Sequence, residues 1–343
     1  MSAEVPDRSR PRPVGLRTVG LRVVVPAVAA VVAVALVCMG VTAVSLLLPA
    51  LSASAETVST TPETCTERSL QFTAHPDDDL LFMNPDVQRD IEAGRCVRTV
   101  YLTTGDAARE ESYWRLREDG IRAAYATMAG VEDAWTESVT TVHGHPLTTQ
   151  TLDAAPGVSV VFMHLPDGNR RGTGNSIHRH QSLRRLWLGE IPRIDAVDGS
   201  TSYDADELRT TLTSLIDSFD PVTVRAQDWT IPFHTGDNAD HTAAALFVRD
   251  AAHDAGTTGE LVGYAGYPSW TEGANVGGRD LGLKADAIIA YAHHDPKFCA
   301  SPRCLQSLVT AIRAARQYVV ATEVFGVEAG RRPEDPTTGS ATG

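Results

Sequence analysis

From residue 69 onward the chain alternates short apolar runs with longer amphipathic ones. Leu70-Gln71-Phe72-Thr73-Ala74 predicts a strand that runs straight into His75. The β-branched and aromatic stretch Val97 to Thr103 predicts a second, ending at Thr104-Gly105-Asp106. Glu111 to Met128 predicts a helix. Val158 to His164 predicts a buried strand stopped by Pro166-Asp167-Gly168, and the Gly-, Arg- and Asn-rich residues 168–182 predict a long loop. Asp204 to Phe219 has helical period, an acidic start and Pro221 just past its end. Further on come a strand (Val222 to Gln227), a helix (Asp240 to Ala255), strands at Glu260 to Tyr264 and Ala287 to Tyr291, and a last helix from Cys304 to about Val320. This alternation predicts an α/β, Rossmann-like domain, a largely parallel sheet with helices on both faces. Ligands in such sheets bind beyond the carboxyl ends of the strands. His75-Pro-Asp-Asp-Asp, Thr104-Gly-Asp, Leu165-Pro-Asp-Gly and the stretch Asp228 to His241 all follow predicted strands, so four polar segments converge on one edge.

Residues 1–55 stand outside this pattern. Five arginines (Arg8, Arg10, Arg12, Arg17, Arg22) precede a nearly uncharged Val/Ala/Leu run from Val23 to Leu51, and Ala53-Ser54-Ala55 has small-x-small form. A basic flank before an apolar run predicts a secretory signal peptide or a membrane anchor. Either puts the remainder outside, secreted or anchored to the outer face of the cytoplasmic membrane, with membrane contact only through this segment. Residues 56–68 read as a Ser/Thr-rich linker, 69–327 as the folded domain and 328–343 as a disordered Gly/Pro/Thr-rich tail. The whole chain carries a formal charge of −13, and the leader holds five of its 30 Lys+Arg but only two of its 43 Asp+Glu. The domain is therefore more acidic than the whole. Nucleic acid is excluded as a partner on that ground, because phosphate binding is built on clustered Lys and Arg.

Cys38 lies in the apolar run, leaving Cys65, Cys96, Cys299 and Cys304. Four cysteines allow three pairings. Cys299 and Cys304 are near enough to close a small loop, which leaves Cys65 with Cys96; both bridges suit an exported chain, and no C-x-x-C spacing favours a thiolate metal site.

The candidate chemistry sits at the strand ends. His75 and Asp78, three apart in a Pro-containing turn, are a partial ligand set for zinc or another divalent cation, and Asp240-His241 offers a third. Asp77 between them is placed to act on water activated by the metal, while Asp79 reads as structural. The pairs His143/His145 and His178/His180 lack carboxylate neighbours and read as loop histidines. His293-His294-Asp295 follows a predicted strand and is a candidate pocket wall.

Ala74-His75-Pro76-Asp77-Asp78-Asp79 after a strand, with Asn238-Ala239-Asp240-His241 opening a helix, resembles the PIG-L (LmbE-like) family of zinc-dependent N-acetylglucosaminyl deacetylases. The likeness runs from about Ser69 to Tyr318. It implies Zn2+ on His75, Asp78 and His241, Asp77 as general base, Asp167 and Arg117 as substrate contacts, and Asp240 behind a metal-binding imidazole. The implied substrate is an amino-sugar-containing small molecule or glycan that loses an N-acyl group. The family commonly carries His where this chain has Asn238, a position tied to carbonyl polarisation or to protonation of the leaving amine. Asn238 can donate a hydrogen bond but transfers no proton. Two alternatives follow: a carbohydrate-binding protein that keeps the metal without turnover, and a metal-dependent esterase.

Overall fold

A computed structural model describes Cys65, residues 67–298 and residues 314–326 of the chain. The strand predicted from Leu70 is β1 (Arg68–Thr73), buried on both faces, and its neighbour is β2 (Cys96–Thr103). β5 (Val158–Leu165), β8 (Thr223–Gln227) and β9 (Gly259–Tyr264) extend the sheet. In the order β9-β8-β1-β2-β5 all four neighbour pairs are parallel. The edges are antiparallel: β3 (Trp135–Val142) and β4 (His145–Leu152) beyond β5, and β10 (Val319–Phe325) beside β9. The short strands β6 (Ile194–Asp195) and β7 (Ser202–Tyr203) pair with each other in a separate antiparallel ribbon. The α/β reading therefore holds, with a largely parallel centre.

Period-two alternation splits the sheet between two apolar layers. Cys96, Val100 and Leu102 of β2 face the layer built with α3 (Leu183–Trp187), α4 (Ala205–Phe219) and α5 (Ala239–Asp254). Val97 and Tyr101 face the other, built with α1 (Asp86–Glu92), α2 (Glu111–Ala129) and α6 (Gly278–Ala292). Each fully buried Leu or Phe contributes roughly 1.5–3 kcal/mol, and Leu102→Ala would cost about 2–5 kcal/mol through the cavity it leaves. α4 starts where its sequence says it should. Asp204 accepts from the Glu207 amide (2.8 Å) and Glu207 reaches back to the Asp204 amide (2.9 Å), a reciprocal cap.

Two expectations are corrected, and one element is new. Ala287 to Tyr291, read as a strand, is the last turn and a half of α6; a five-residue apolar run has no period of its own, and the helix is set by the residues before it. Val319 and Val320, read as a helix end, begin β10. The hairpin β3–β4, which turns at His143-Gly144, was not anticipated. The leader, residues 56–64 of the linker, the tail and the pair Cys299/Cys304 lie outside the described residues, whereas Cys65 and Cys96 are bridged, their Cα atoms 5.7 Å apart. No helix among the described residues is long and apolar enough to cross a membrane.

Strand order reverses about β1: the chain leaves it toward β2 and β5 on one side and comes back to β8 and β9 on the other. The crevice at this switch point opens at the carboxyl ends of β1 and β8, where His75 and Asp228 emerge.

Candidate metal centre and reaction pocket

β1 delivers His75 into a turn that continues as one π-helical turn, Asp79–Met83. The turn is closed by Asp78, whose Oδ2 accepts from the His75 amide (2.7 Å) and lies 3.1 Å from His75 Nδ1. Its Oδ1 lies 3.1 Å from His241 Nε2, at the start of α5. One ligand atom from each of His75, Asp78 and His241 falls within 4.8 Å of the others, all three side chains being buried. The set implied by the resemblance is thus brought together by the fold, His241 coming from the far half of the chain to meet two residues of a single turn.

The surroundings hold each ligand from behind. His241 Nδ1 is 2.8 Å from Asp237 Oδ1. His75 Nε2 faces Asp240 Oδ2 at 3.4 Å, and that oxygen accepts from the Gly168 amide (2.7 Å). A side chain at Gly168 would collide with Asp240 and Ser182, so the glycine is needed for this approach. Gln227, the last residue of β8, donates to Asp78 Oδ2 (2.8 Å) and accepts from the Ala74 amide (3.2 Å). Asp237 and Gln227 were missed in sequence. Asp237 precedes His241 by four residues, which was its only signal; Gln227 carried none.

The electrostatics ask for a cation. Burial alone would lower the pKa of both imidazoles, yet the carboxylates override it: His75 is raised well above its usual value by Asp78 and Asp240, and His241 rises to about 10 through Asp78 and Asp237. Burial opposes ionisation of Asp78 too, but His241 and His75 hold its carboxyl well below the ordinary range. His241 Nε2, on the side of Asp78 and opposite the Asp237 contact, is buried without a partner of good hydrogen-bond geometry. Two imidazoles, one carboxylate, this orphaned ring nitrogen and a carboxylate behind each ring fit a divalent metal of the zinc type. The field that favours two imidazolium protons is the field that favours such an ion, whose binding would expel them.

Above this set is a cavity of about 220 Å3 lined by His75, Asp77, Asp167, Asn238, Tyr267 and Asp295, among others. Asp77 sits in it with φ 120°, a strained backbone for a non-glycine residue. Its Oδ1 accepts from Arg117 Nη2 (2.9 Å). Arg117, expected as a substrate contact, lines the pocket but spends its guanidinium on the protein. Nε donates to Tyr291 Oη (2.6 Å), Nη1 to the Gly105 carbonyl (2.6 Å) and Nη2 also to the Pro76 carbonyl (2.5 Å). Its observed role is to fix Asp77. Any side chain at Gly105, itself at φ +57°, would strike that guanidinium. Asp295 backs the arrangement, accepting from Tyr291 Oη (2.8 Å) and Tyr113 Oη (3.2 Å). Of the His293-His294-Asp295 trio, only Asp295 lines the pocket.

Asp167 also lines it, its carboxylate already accepting from the Asn169 amide (2.6 Å) and the Ala107 amide (3.2 Å). Asn238, not Asp240, caps α5: its Oδ1 accepts from the Asp240 amide (3.0 Å), which leaves the NH2 as the group free to donate into the pocket. Asp79 takes no part. Its Oδ2 accepts from Tyr125 (2.7 Å) and Tyr101 (3.0 Å) in the core. His143 and His145 sit in the β3–β4 turn against Ser214 (2.6 Å) and Thr201 (2.7 Å), remote from this chemistry by contact. His178 is nearer than a surface-loop reading implies, with Nε2 2.9 Å from Asp106 Oδ2.

Residues 70–252 match the family model described as PIG-L, GlcNAc-PI de-N-acetylase. No curated protein matches the chain. Among solved structures, N,N'-diacetylchitobiose deacetylase from Pyrococcus horikoshii is 15% identical, with 76% of this chain and 84% of that one covered and a TM-score of 0.42. A conserved protein from Thermus thermophilus is 17% identical over 70% of this chain and 83% of its own, with a TM-score of 0.38. Teicoplanin deacetylase Orf2, in a zinc-inhibited form, is 15% identical over 67% and 85%, also at 0.38. The family match spans more than half of the chain and contains both segments that form the centre. The chain belongs to the PIG-L family.

Proposed function

We propose that the protein is a zinc-dependent hydrolase that removes an N-acyl group, most simply acetyl, from an amino sugar or glycoconjugate outside the cytoplasm. The observation that carries this reading is the buried His75–Asp78–His241 set directly beneath a pocket that presents Asp77. A zinc ion on those three side chains would supply Lewis-acid polarisation and lower the pKa of water. The chain's own residues do the rest. Arg117 holds Oδ1 of Asp77, so Oδ2 is the atom that accepts the proton of the attacking water. Without a metal, burial, working against the pull of Arg117, pushes the Asp77 carboxyl up to about 7; a bound cation would pull it down and favour the base form. Having taken the proton, Asp77 can pass it to the departing amine, which Asn238 cannot do. Asn238 has its Oδ1 occupied as a helix cap, so its NH2 is oriented to donate to the carbonyl oxygen as charge develops there. Asp167 retains lone pairs for a sugar hydroxyl.

Export is supported by the basic-then-apolar leader and by the Cys65–Cys96 bridge, which suits an oxidising compartment. Purified full-length protein supplied with zinc is expected to release acetate from N,N'-diacetylchitobiose, to stop when chelator removes the metal and to recover on its return. Asn238 favours one second reading, a glycan-binding protein without turnover. Glycan binding with no acetate release from a broad panel of N-acyl sugars would replace the first reading by the second.

A further inference from the structure

Asp237 does more than back His241. The oxygen that lies 2.8 Å from His241 Nδ1 also accepts from the Tyr267 amide (3.2 Å), so one carboxylate atom ties the Tyr267 backbone to an imidazole of the metal set. The approach leaves no room to spare: a side chain at Gly266, the residue before, would collide with both carboxylate oxygens of Asp237. Tyr267 opens a short 3-10 turn, Tyr267–Thr271, that follows β9 at the carboxyl edge of the sheet. The segment thus comes to the site from the β9 side of the crevice, and Asp237 fixes where it sits.

The ring is held as firmly as the backbone. Its centroid lies 5.6 Å from that of Phe82, 4.7 Å from Trp270 and 5.2 Å from His241, and Phe82 packs on His241 in turn (5.7 Å). A phenylalanine would make all of these ring contacts. What the tyrosine adds is a hydroxyl, on a residue that lines the reaction pocket together with His75, Asp77 and Asn238. Most other donors on that lining are already engaged. The Tyr113 hydroxyl donates to Asp295 (3.2 Å), the Gly105 amide to Thr103 (3.2 Å) and the Ala107 amide to Asp167 (3.2 Å). Arg117 is divided among Asp77, Pro76, Gly105 and Tyr291. Lys297 is exposed, a charge at the end of a flexible stem. The Tyr267 hydroxyl makes no hydrogen bond among the described residues although its ring is boxed in. It and the Asn238 NH2 are the two donors of the lining that are both held in place and uncommitted.

We infer that the Tyr267 hydroxyl joins the Asn238 NH2 in donating to the oxygen of the scissile carbonyl, the pair forming a two-donor oxyanion hole. A phenol with a pKa near ~10 is protonated at neutral pH and can donate. The proton stays on the tyrosine throughout, and no bond to the residue forms or breaks. Donors already fixed in place stabilise the developing charge without reorganising as it forms. One comes from the N-cap of α5 and the other from the turn after β9, and Asp237 links the two segments: its Oδ1 accepts from the Asn238 amide (2.8 Å) as well as from the Tyr267 amide. Position 238 is then required only to donate, a task that asparagine performs. The inference rests on the reading of the pocket as an amidohydrolase site, and its test lets the two fail separately.

The full-length, zinc-supplied protein is compared with Tyr267→Phe, which keeps the ring contacts and removes only the hydroxyl. Three quantities are measured: zinc content, kcat and KM for N,N'-diacetylchitobiose, and calorimetric binding of two ligands. One ligand is the methylphosphonamide of glucosamine, whose tetrahedral phosphonyl group resembles the amide at the transition state; the other is glucosamine itself. The variant is expected to hold the same zinc, to lose about 10²-fold in kcat with KM within about twofold, and to bind the phosphonamide about tenfold or more weaker while glucosamine binds as before. A kcat within twofold of wild type would overturn the inference. So would a raised KM at unchanged kcat, which would place the hydroxyl on the sugar instead, or zinc lost in step with activity, which would make the residue structural. Should wild type hydrolyse no N-acyl sugar, the amidohydrolase reading falls by itself and calorimetry still decides the donor. Phosphonamide binding that Tyr267→Phe weakens, with glucosamine unaffected, upholds it; phosphonamide binding indifferent to the substitution, or absent from both proteins, removes it.

Discussion

Three consecutive carboxylates, Asp77, Asp78 and Asp79, have three different fates, and the difference is made by what surrounds each one. Asp78 is held ionised between two imidazoles, Asp77 is strained into the pocket under Arg117, and Asp79 is pushed up to about 6 by burial although two tyrosines donate to it. The motif made His75, Asp77, Asp78 and His241 legible in the sequence, because ligand chemistry needs those residue types at those places. Gln227, Asp237, Tyr291 and Asp295 were not legible, since each acts by lying against a residue distant in the chain or against an atom the sequence does not orient. The same holds for Arg117: its residue type announced a cation, but only packing shows that the cation faces Asp77. At this scale Asp237→Ala is expected to weaken zinc binding about 10–100-fold, the usual effect of losing the carboxylate behind a ligating histidine. Competition titration with a chromophoric chelator measures it, and an affinity unchanged within a factor of two would remove Asp237 from the role.

Elements with a long period of their own were read correctly, as with α2, α4 and the buried strands β1, β2 and β5. The misreadings fell on short pieces whose identity is decided by neighbours. The run Ala287 to Tyr291 would suit a buried strand, but α6 is held in place by Lys284, fully buried one turn earlier. Its Nζ donates to the carbonyls of Leu81 (2.7 Å), Asn84 (2.8 Å) and Arg316 (2.7 Å). Burial pushes this amine down to about 7, yet three acceptors use three N–H donors, which only the ammonium form has. Two of those carbonyls belong to the segment just after the turn that carries His75 and Asp78. Lys284→Met is therefore expected to cost about 3 kcal/mol in urea unfolding, by leaving buried carbonyls without a donor; a loss below about 0.5 kcal/mol would contradict the assignment.

His164, at the end of β5, gives a second element-scale prediction. Burial would lower its pKa, but hydrogen bonds to Asp198 (2.7 Å) and Glu118 (2.8 Å) override that and raise it to about 9. A histidine raised in the folded state adds stability that is complete below its unfolded pKa and is lost as pH climbs through the folded one. The clamp joining β5 to α2 should thus contribute about 3 kcal/mol at pH 6, decline between about pH 6.5 and 9, and be gone above that window. Urea midpoints of wild type and His164→Gln should accordingly differ most at pH 6 and converge near pH 10; a constant gap across that range would show that the imidazolium does not carry the effect.

At the scale of the whole molecule, the alternation of apolar and amphipathic runs made the layered α/β architecture and the site's location legible together, because parallel strands present all their carboxyl ends on one edge. What the pattern could not show was the antiparallel rim: β3 and β4 are rich in polar residues, and β10 is largely apolar yet half-exposed. The central claim joins all three scales: a metal held by His75, Asp78 and His241, and a proton moved by Asp77. The most direct test is to compare wild type with Asp77→Asn, measuring zinc content and acetate release on the same samples. The account predicts equal, near-stoichiometric zinc in both and a fall in kcat of about 10²–10⁴-fold in the variant. Undiminished acetate release by Asp77→Asn at full zinc occupancy would contradict it.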